Sequence, residues 1–222
     1  MKYLIIFFSL IIISCSNLNI NREHSISYYN NGKIKSNISV VDGIKNGPVF
    51  NYFENGSLAV KGYFSNDQRD KKWYFYDENT KKLVAIENYK NGNLEGEQFY
   101  YYPNGKLKLQ GNYKDNIRVG FWQMYDEEGN LSVQNIFLDG EKVISVAIFQ
   151  KNGNILCSGL TKEGLREGLR EGTWQYFDEN SKPLYDVEYK NGILDGEWKA
   201  YDKDGNIIIS GYYNNGKLLG LE

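Results

Sequence analysis

A single histidine, three prolines and two cysteines in 222 residues remove whole classes of function before any pattern is sought. The histidine, His24, stands near the N-terminus, so a Ser-His-Asp or Cys-His site, or a His-based metal site, would need residues that the chain lacks. No run of five like charges occurs, and the formal charge of minus 2 is spread as Lys and Arg interleaved with Asp and Glu. A nucleic-acid binder needs a basic face, so that partner is not expected. No segment keeps a 3.6-residue apolar period, which argues against a helical fold. The prolines Pro48, Pro103 and Pro183 sit near turns or strand starts.

Long apolar runs are also missing, apart from the eleven residues Tyr3 to Ile13 behind Met1 and Lys2. Eleven residues fall short of the roughly 20 that span a bilayer as a helix, so the segment reads as an export signal. Ile12-Ile13-Ser14-Cys15 closes it and resembles the bacterial lipobox, whose cysteine is diacylated and becomes the mature N-terminus. The competing reading is an ordinary secretory signal cleaved nearby. On the lipobox reading, residues 1–14 are a signal peptide, Cys15 is the lipidation site and residues 15–22 are a short polar tether. Two or more acyl chains, each buried methylene adding about 0.8 kcal/mol, hold a protein stably on a membrane. Ser16 follows the cysteine where inner-membrane retention uses Asp, which by resemblance implies the outer membrane of a two-membrane bacterium. Only Cys157 then remains, so an intramolecular disulfide is excluded. It occupies a position that Val60, Leu109, Val133 and Ile209 take elsewhere, and is expected as a small buried hydrophobe.

What the chain has in abundance is an internal repeat. Unit starts fall at Gly47, Lys71, Gly96, Gly120, Ile144, Gly172, Gly196 and Gly220, 24 or 25 residues apart with one exception. Between Ile144 and Gly172 the block Gly164-Leu165-Arg166-Glu167 recurs at once as Gly168-Leu169-Arg170-Glu171, and removing that duplication restores a spacing of 24. Trp73, Trp122, Trp174 and Trp198 share one phase, and Tyr52, Tyr76, Tyr101, Tyr125, Phe177 and Tyr201 share another. With an N-terminal copy visible in Asn31-Gly32 and Asp42-Gly43, about eight units fill residues 23–222 as one domain.

Each unit reads as two strands and two turns. Asn55-Gly56, Asn104-Gly105, Asn152-Gly153 and Asp204-Gly205 mark one set of turns, and Asn91-Gly92, Asp139-Gly140, Asn191-Gly192 and Asn215-Gly216 the other. Both sets predict two-residue hairpin turns, for which these dipeptides supply positive φ. Period-2 reading puts the four tryptophans with Leu107, Leu109, Ile207 and Ile209 on a core face. Tyr52, Tyr76, Tyr101, Tyr125 and Tyr201 fall on the opposite face beside Lys61, Lys108, Gln110, Gln123, Gln175 and Lys199. Gly62, Gly111, Gly159 and Gly211 stand where a neighbouring tryptophan needs room.

The segments GEWKAYDKDGNIIISGYYNNGKLLG and GEQFYYYPNGKLKLQGNYKDN resemble the bacterial variant of the MORN repeat, the membrane occupation and recognition nexus family. That resemblance implies an elongated antiparallel sheet of tandem hairpins, used as a scaffold or interaction surface, with no catalytic residues and no cofactor. Carboxylate pairs such as Glu95 with Glu97 and Asp195 with Glu197 flank turn glycines and read as solvated turn residues rather than as a glycosidase pair. Asp202-Lys203-Asp204-Gly205-Asn206 lacks the remaining ligands of a calcium loop. The expected function is therefore a non-catalytic, envelope-anchored module in which the tyrosine stripe contacts a protein or glycan. The same rings could instead only cover the sheet and pair across strands. A self-associating, dimeric envelope component is the second class, through open sheet edges. An antitoxin or immunity-like protein is the third, although export is at odds with neutralising a cytosolic toxin.

Overall fold

Short strands separated by turns of two or three residues satisfy their backbone groups most directly by pairing with the strands next to them in sequence. The computed structural model, which describes residues 21–138, 143–162 and 169–221, has that arrangement throughout. Cys15 and the signal lie outside the described residues, as do most of the tether, the Asp139-Gly140 turn and most of the duplicated block.

The strands are β1 (Arg22–Tyr28), β2 (Ile34–Val41), β3 (Ile44–Tyr52), β4 (Leu58–Ser65), β5 (Gln68–Tyr76) and β6 (Leu83–Lys90). They continue as β7 (Asn93–Leu94), β8 (Gly96–Tyr101), β9 (Leu107–Lys114), β10 (Ile117–Tyr125), β11 (Leu131–Leu138) and β12 (Val143–Phe149). The series ends with β13 (Ile155–Thr161), β14 (Arg170–Phe177), β15 (Pro183–Lys190), β16 (Ile193–Tyr201), β17 (Ile207–Asn214) and β18 (Lys217–Leu221). Each pairs antiparallel with its sequence neighbours, β7 and β8 together forming one interrupted strand against β6. Among the described residues there is no helix. The result is the elongated, all-β, single antiparallel sheet of hairpins that the repeat predicts.

The two rows of turns differ, which corrects the reading of both as two-residue hairpins. Along one edge, Asp42-Gly43, Asn91-Gly92, Asn191-Gly192 and Asn215-Gly216 have positive φ at both residues, as a type I′ turn requires. Asn66-Asp67 and Asp115-Asn116 do the same without glycine. Along the other edge only the last loop residue is left-handed, a glycine at Gly56 (φ 93°) and Gly105 (φ 92°), but Lys81 (φ 58°) between β5 and β6 and Ser181 (φ 64°) between β14 and β15. There Phe53 N–H donates to Ser57 O at 2.8 Å and Gly56 N–H to Phe53 O at 2.8 Å, a three-residue loop of a type I turn closed by a glycine bulge. The asparagine is needed for its side chain. Asn55 Oδ1 accepts Ser57 N–H at 2.8 Å, and Asn104 Nδ2 reaches the next turn to donate to Glu127 O at 3.0 Å. Asn31 and Asn152 make the same inter-turn bond to Glu54 O and Glu179 O.

Unit starts carry a second irregularity. Lys71 (φ 62°) and Gly120 (φ 64°) are left-handed, and the β4–β5 and β9–β10 registers shift there. The ladder is interrupted at each such bulge and leaves a carbonyl unpaired. Ile144, a β-branched residue poorly suited to that conformation, shows the exception. It pairs with Phe137 on one side and Thr161 on the other, with no shift at that point. A Cβ at Gly120 would meet nothing within 4 Å, so Gly120→Ala should cost only the left-handed penalty, about 1 kcal/mol in urea unfolding. A loss as large as that of a core truncation would show that the bulge glycine is packed rather than merely bent.

Candidate interaction faces

Cα partners in antiparallel strands share a face. One transverse row runs Val49, Gly62, Trp73, Glu87, Gln98, Gly111, Trp122, Asn135, Val146, Gly159, Trp174, Val187, Trp198 and Gly211. It is the spine of the molecule. Trp73, Trp122 and Trp174 are each 2% exposed, Val49 1% and Gln98 0%. A Cβ on Gly62, Gly111 or Gly159 would fall inside the indole ring of the following strand's tryptophan.

Each of those indoles also completes a bulge. Trp73 Nε1–H donates to Tyr63 O at 3.2 Å, Trp122 to Asn112 O at 3.2 Å and Trp174 to Leu160 O at 2.9 Å. The acceptor in each case is the residue after the strand glycine. Gln98 performs the same service where no indole is present: its Nε2 donates to Asn88 O at 3.2 Å and its Oε1 accepts Asn88 N–H at 3.1 Å. Val146 needs no polar tip, because its strand has no bulge at Ile144.

The tryptophan seat therefore recurs every second unit, a doubling that the 24-residue reading passes over. Its signal was present in the sequence: strand glycines at 62, 111 and 159, and Arg69, Arg118 and Arg170 four residues ahead of Trp73, Trp122 and Trp174. Arg69 lies over the Trp73 ring at 4.5 Å and the Tyr89 ring at 5.2 Å. Arg118 lies over Trp122 and Phe137 at 5.7 and 5.0 Å, and Arg170 over Trp174 and Tyr189 at 4.5 and 5.2 Å. Edge-on Phe64 and Tyr113 close the sides of Trp73 and Trp122, with centroids at 5.1 Å in both cases.

Trp198 departs from this scheme. It has Val187 rather than glycine behind it, leans toward Gly211 on the following strand, and keeps a buried Nε1–H with no hydrogen-bond partner. Leu109 packs on the Trp122–Phe137 cluster, and Leu107 and Ile209 are half-buried. Ile207 is a correction to the core reading: it is 53% exposed, because β18 pairs only with Gly211 to Asn214 and leaves the first half of β17 without a described neighbour on that side. Cys157 is buried at 3% exposure beside Trp174, and burial pushes its thiol pKa up, an environment for packing rather than reactivity.

The opposite face is centred on the row Phe50, Lys61, Tyr74, Ile86, Phe99, Gln110, Gln123, Gln134, Ala147, Ser158, Gln175, Asp186, Lys199 and Ser210. Gln110 Nε2 donates to Gln123 Oε1 at 2.7 Å and Gln123 Nε2 to Gln134 Oε1 at 3.1 Å, a ladder of amides across three strands. Tyr52, Tyr76, Tyr101, Tyr125 and Tyr201 are all half-buried. The Tyr125 hydroxyl accepts from Gln110 and donates to Gln123, and the Tyr201 hydroxyl donates to Asp186 at 2.8 Å. Two tips of the expected stripe are thus engaged within the sheet. On the Trp face, Glu87 accepts the hydroxyls of Tyr89 at 2.6 Å and Tyr100 at 3.4 Å. Burial first, and then that carboxylate, push the Tyr100 pKa well above its ordinary value.

Tandem hairpins with a single-sided spine define a repeat scaffold. Five segments of the chain, residues 24–42, 45–66, 94–115, 170–191 and 194–215, match the MORN repeat variant. No curated protein matches the sequence. Among solved structures, the chain is similar to "Crystal Structure of TcdB2-TccC3", at 12% identity and a TM-score of 0.25 over 85% of this chain. It is similar also to "Crystal Structure of TcdB2-TccC3 without hypervariable C-terminal region", at 11% identity and a TM-score of 0.24 over 86% of this chain. The match spans 13% and 12% of those chains respectively.

Proposed function

We propose that the protein is a non-catalytic, lipid-anchored scaffold of the cell envelope that binds a protein or glycan through the faces of its sheet. The observation that carries the binding role is the exposure of large side chains on a single-layered repeat sheet. Leu156, Leu184 and Ile208, which hold one equivalent position in successive units, are 44%, 44% and 64% exposed, and Phe121 is 56% exposed. Leu156, Leu184 and Ile208 recur on alternate strands β13, β15 and β17, an apolar series that a partner lying across the sheet can cover. The anchor rests on the sequence, through Ile12-Ile13-Ser14-Cys15 behind an apolar leader.

Metabolic labelling with a palmitate analogue, with membrane fractionation, tests the address. Label in the intact protein that disappears in Cys15→Ala, with the intact protein in the outer-membrane fraction, is the expected result. Protein in the cytosol without label would overturn the anchor and bring forward the antitoxin-like reading.

A further inference from the structure

On the face opposite the tryptophans, Glu97, Phe99, Gln110, Asn112, Phe121 and Gln123 line a shallow hollow of about 150 Å³, room for one sugar ring. Alternation brings them together, as the same-facing residues of three neighbouring strands, β8, β9 and β10. Much of the amide capacity there is committed within the sheet. Gln110 Nε2 donates to Gln123 Oε1 at 2.7 Å and to Tyr125 Oη at 3.0 Å, and Gln123 Nε2 gives one hydrogen to Gln134 Oε1 at 3.1 Å. Gln110 Oε1 and one N–H of Gln123 remain for a ligand. So do the exposed Glu97 carboxylate and Asn112 amide, whose side chains have no hydrogen bond or ion pair among the described residues. The Phe121 ring beside them is 56% exposed.

The hollow is repeated. Four units further on, Glu197, Ser210 and Tyr212 stand at the points of the unit held by Glu97, Gln110 and Asn112, and they line a second hollow. Its ring is Tyr212, 52% exposed. A carboxylate, a neutral hydrogen-bonding group and an exposed ring therefore recur together. That set suits a sugar, whose C–H face lies on the aromatic ring while its hydroxyls bond the carboxylate and the amide or hydroxyl. No cation lines either hollow, so an anionic ligand would meet Glu97 or Glu197 uncompensated. Peptide anchors need deep apolar pockets, whereas these hollows are open and polar-walled.

We infer that the two hollows are binding sites for rings of a neutral, hydroxyl-rich glycan. The inference deepens the binding role of the sheet faces and rests on it, but its test does not depend on the anchor. Cellohexaose, maltohexaose, mannohexaose and chitohexaose are titrated separately into the full-length chain, held in a sugar-free polyoxyethylene detergent, at low and high salt. At least one should bind, and with no salt dependence, because an uncharged ligand releases no counterions. Phe121→Leu with Tyr212→Leu keeps apolar bulk but removes both rings, and should lower affinity by about tenfold or more. Phe121→Tyr with Tyr212→Phe keeps both rings and should hold affinity within about threefold. Both side chains are more than half exposed, so these pairs fold as the parent does. Glu97→Gln with Glu197→Gln should cost about threefold or more, since a carboxylate accepts hydroxyls more strongly than an amide does. Met124→Ala, on the Trp face of β10, should leave binding within about twofold. Binding of none of the four sugars, equal affinity in the Leu pair and the ring-swapped pair, an equal loss in Met124→Ala, or tighter binding of tetralysine than of any sugar would each overturn the assignment. Labelling at Cys15 is unaffected by any of these results, so failure of the sugar sites and failure of the anchor are separable.

Discussion

Replacing Trp122 with alanine should cost about 3 to 5 kcal/mol in urea unfolding, the range for truncating a large buried ring. Its indole is 2% exposed, rests on Gly111, meets Tyr113 and Phe137 edge-on and fills the carbonyl of Asn112. Truncation therefore opens a cavity and strands a polar group in one step, and a freed buried carbonyl adds its own penalty of about 1 to 3 kcal/mol. Neighbouring units stabilise one another in stacked repeats, so the loss spreads on both sides of β10. Trp198→Ala should cost distinctly less, about 1 to 3 kcal/mol, because it removes a half-buried ring together with an indole N–H that lacks an acceptor. Equal losses at the two positions would mean that burial and the indole hydrogen bond do not set the stability of a unit.

That contrast was only partly visible in the sequence. The repeat phase, the hairpin architecture and the sharing of a face by Gly111 and Trp122 all follow from spacing and alternation, which act locally and need no knowledge of the partner strand. The four tryptophans read as equals, however, because a 24-residue average hides what lies on the preceding strand: glycine behind Trp73, Trp122 and Trp174, valine behind Trp198. Turn chemistry was legible to the same depth. Asn-Gly announces a turn in both rows, yet φ at the asparagine is decided by whether the loop has two residues or three, as at Asn91 (φ 49°) against the left-handed glycine alone at Gly56. Asn66-Asp67 and Asp115-Asn116 form type I′ turns with no glycine to signal them. The arginines were legible in part: the four-residue offset of Arg69, Arg118 and Arg170 from Trp73, Trp122 and Trp174 stands in the sequence, whereas their stacking over those rings comes only with the structure. The tyrosine stripe meets the same limit. Its phase was clear, but the hydroxyls of Tyr125 and Tyr201 are taken by Gln110, Gln123 and Asp186 on neighbouring strands, partners that sequence spacing does not name.

Gly111→Ala tests the seat rather than the ring. Gly111 has ordinary strand φ, so the substitution carries no left-handed penalty, and any loss comes from the methyl group placed within the Trp122 indole. Backbone on a central strand cannot retreat without breaking the pairing to Gln98, so the ring must move. Moving it opens the hydrogen bond to Asn112 and the edge contact with Tyr113, and the expected cost is about 3 kcal/mol, the upper end for overpacking a close-packed site. Gly120→Ala, nine residues on, should cost only about a third as much, since its surroundings are open. The decisive measurement is the double-mutant cycle with Trp122→Ala. Once the indole is gone, the added methyl finds space, so the double variant should be more stable than the sum of the single losses predicts by about 1 to 3 kcal/mol. Additive losses would show that the glycine is required by the backbone and not by the ring, and the doubled period of the repeat would then lack the packing cause assigned to it.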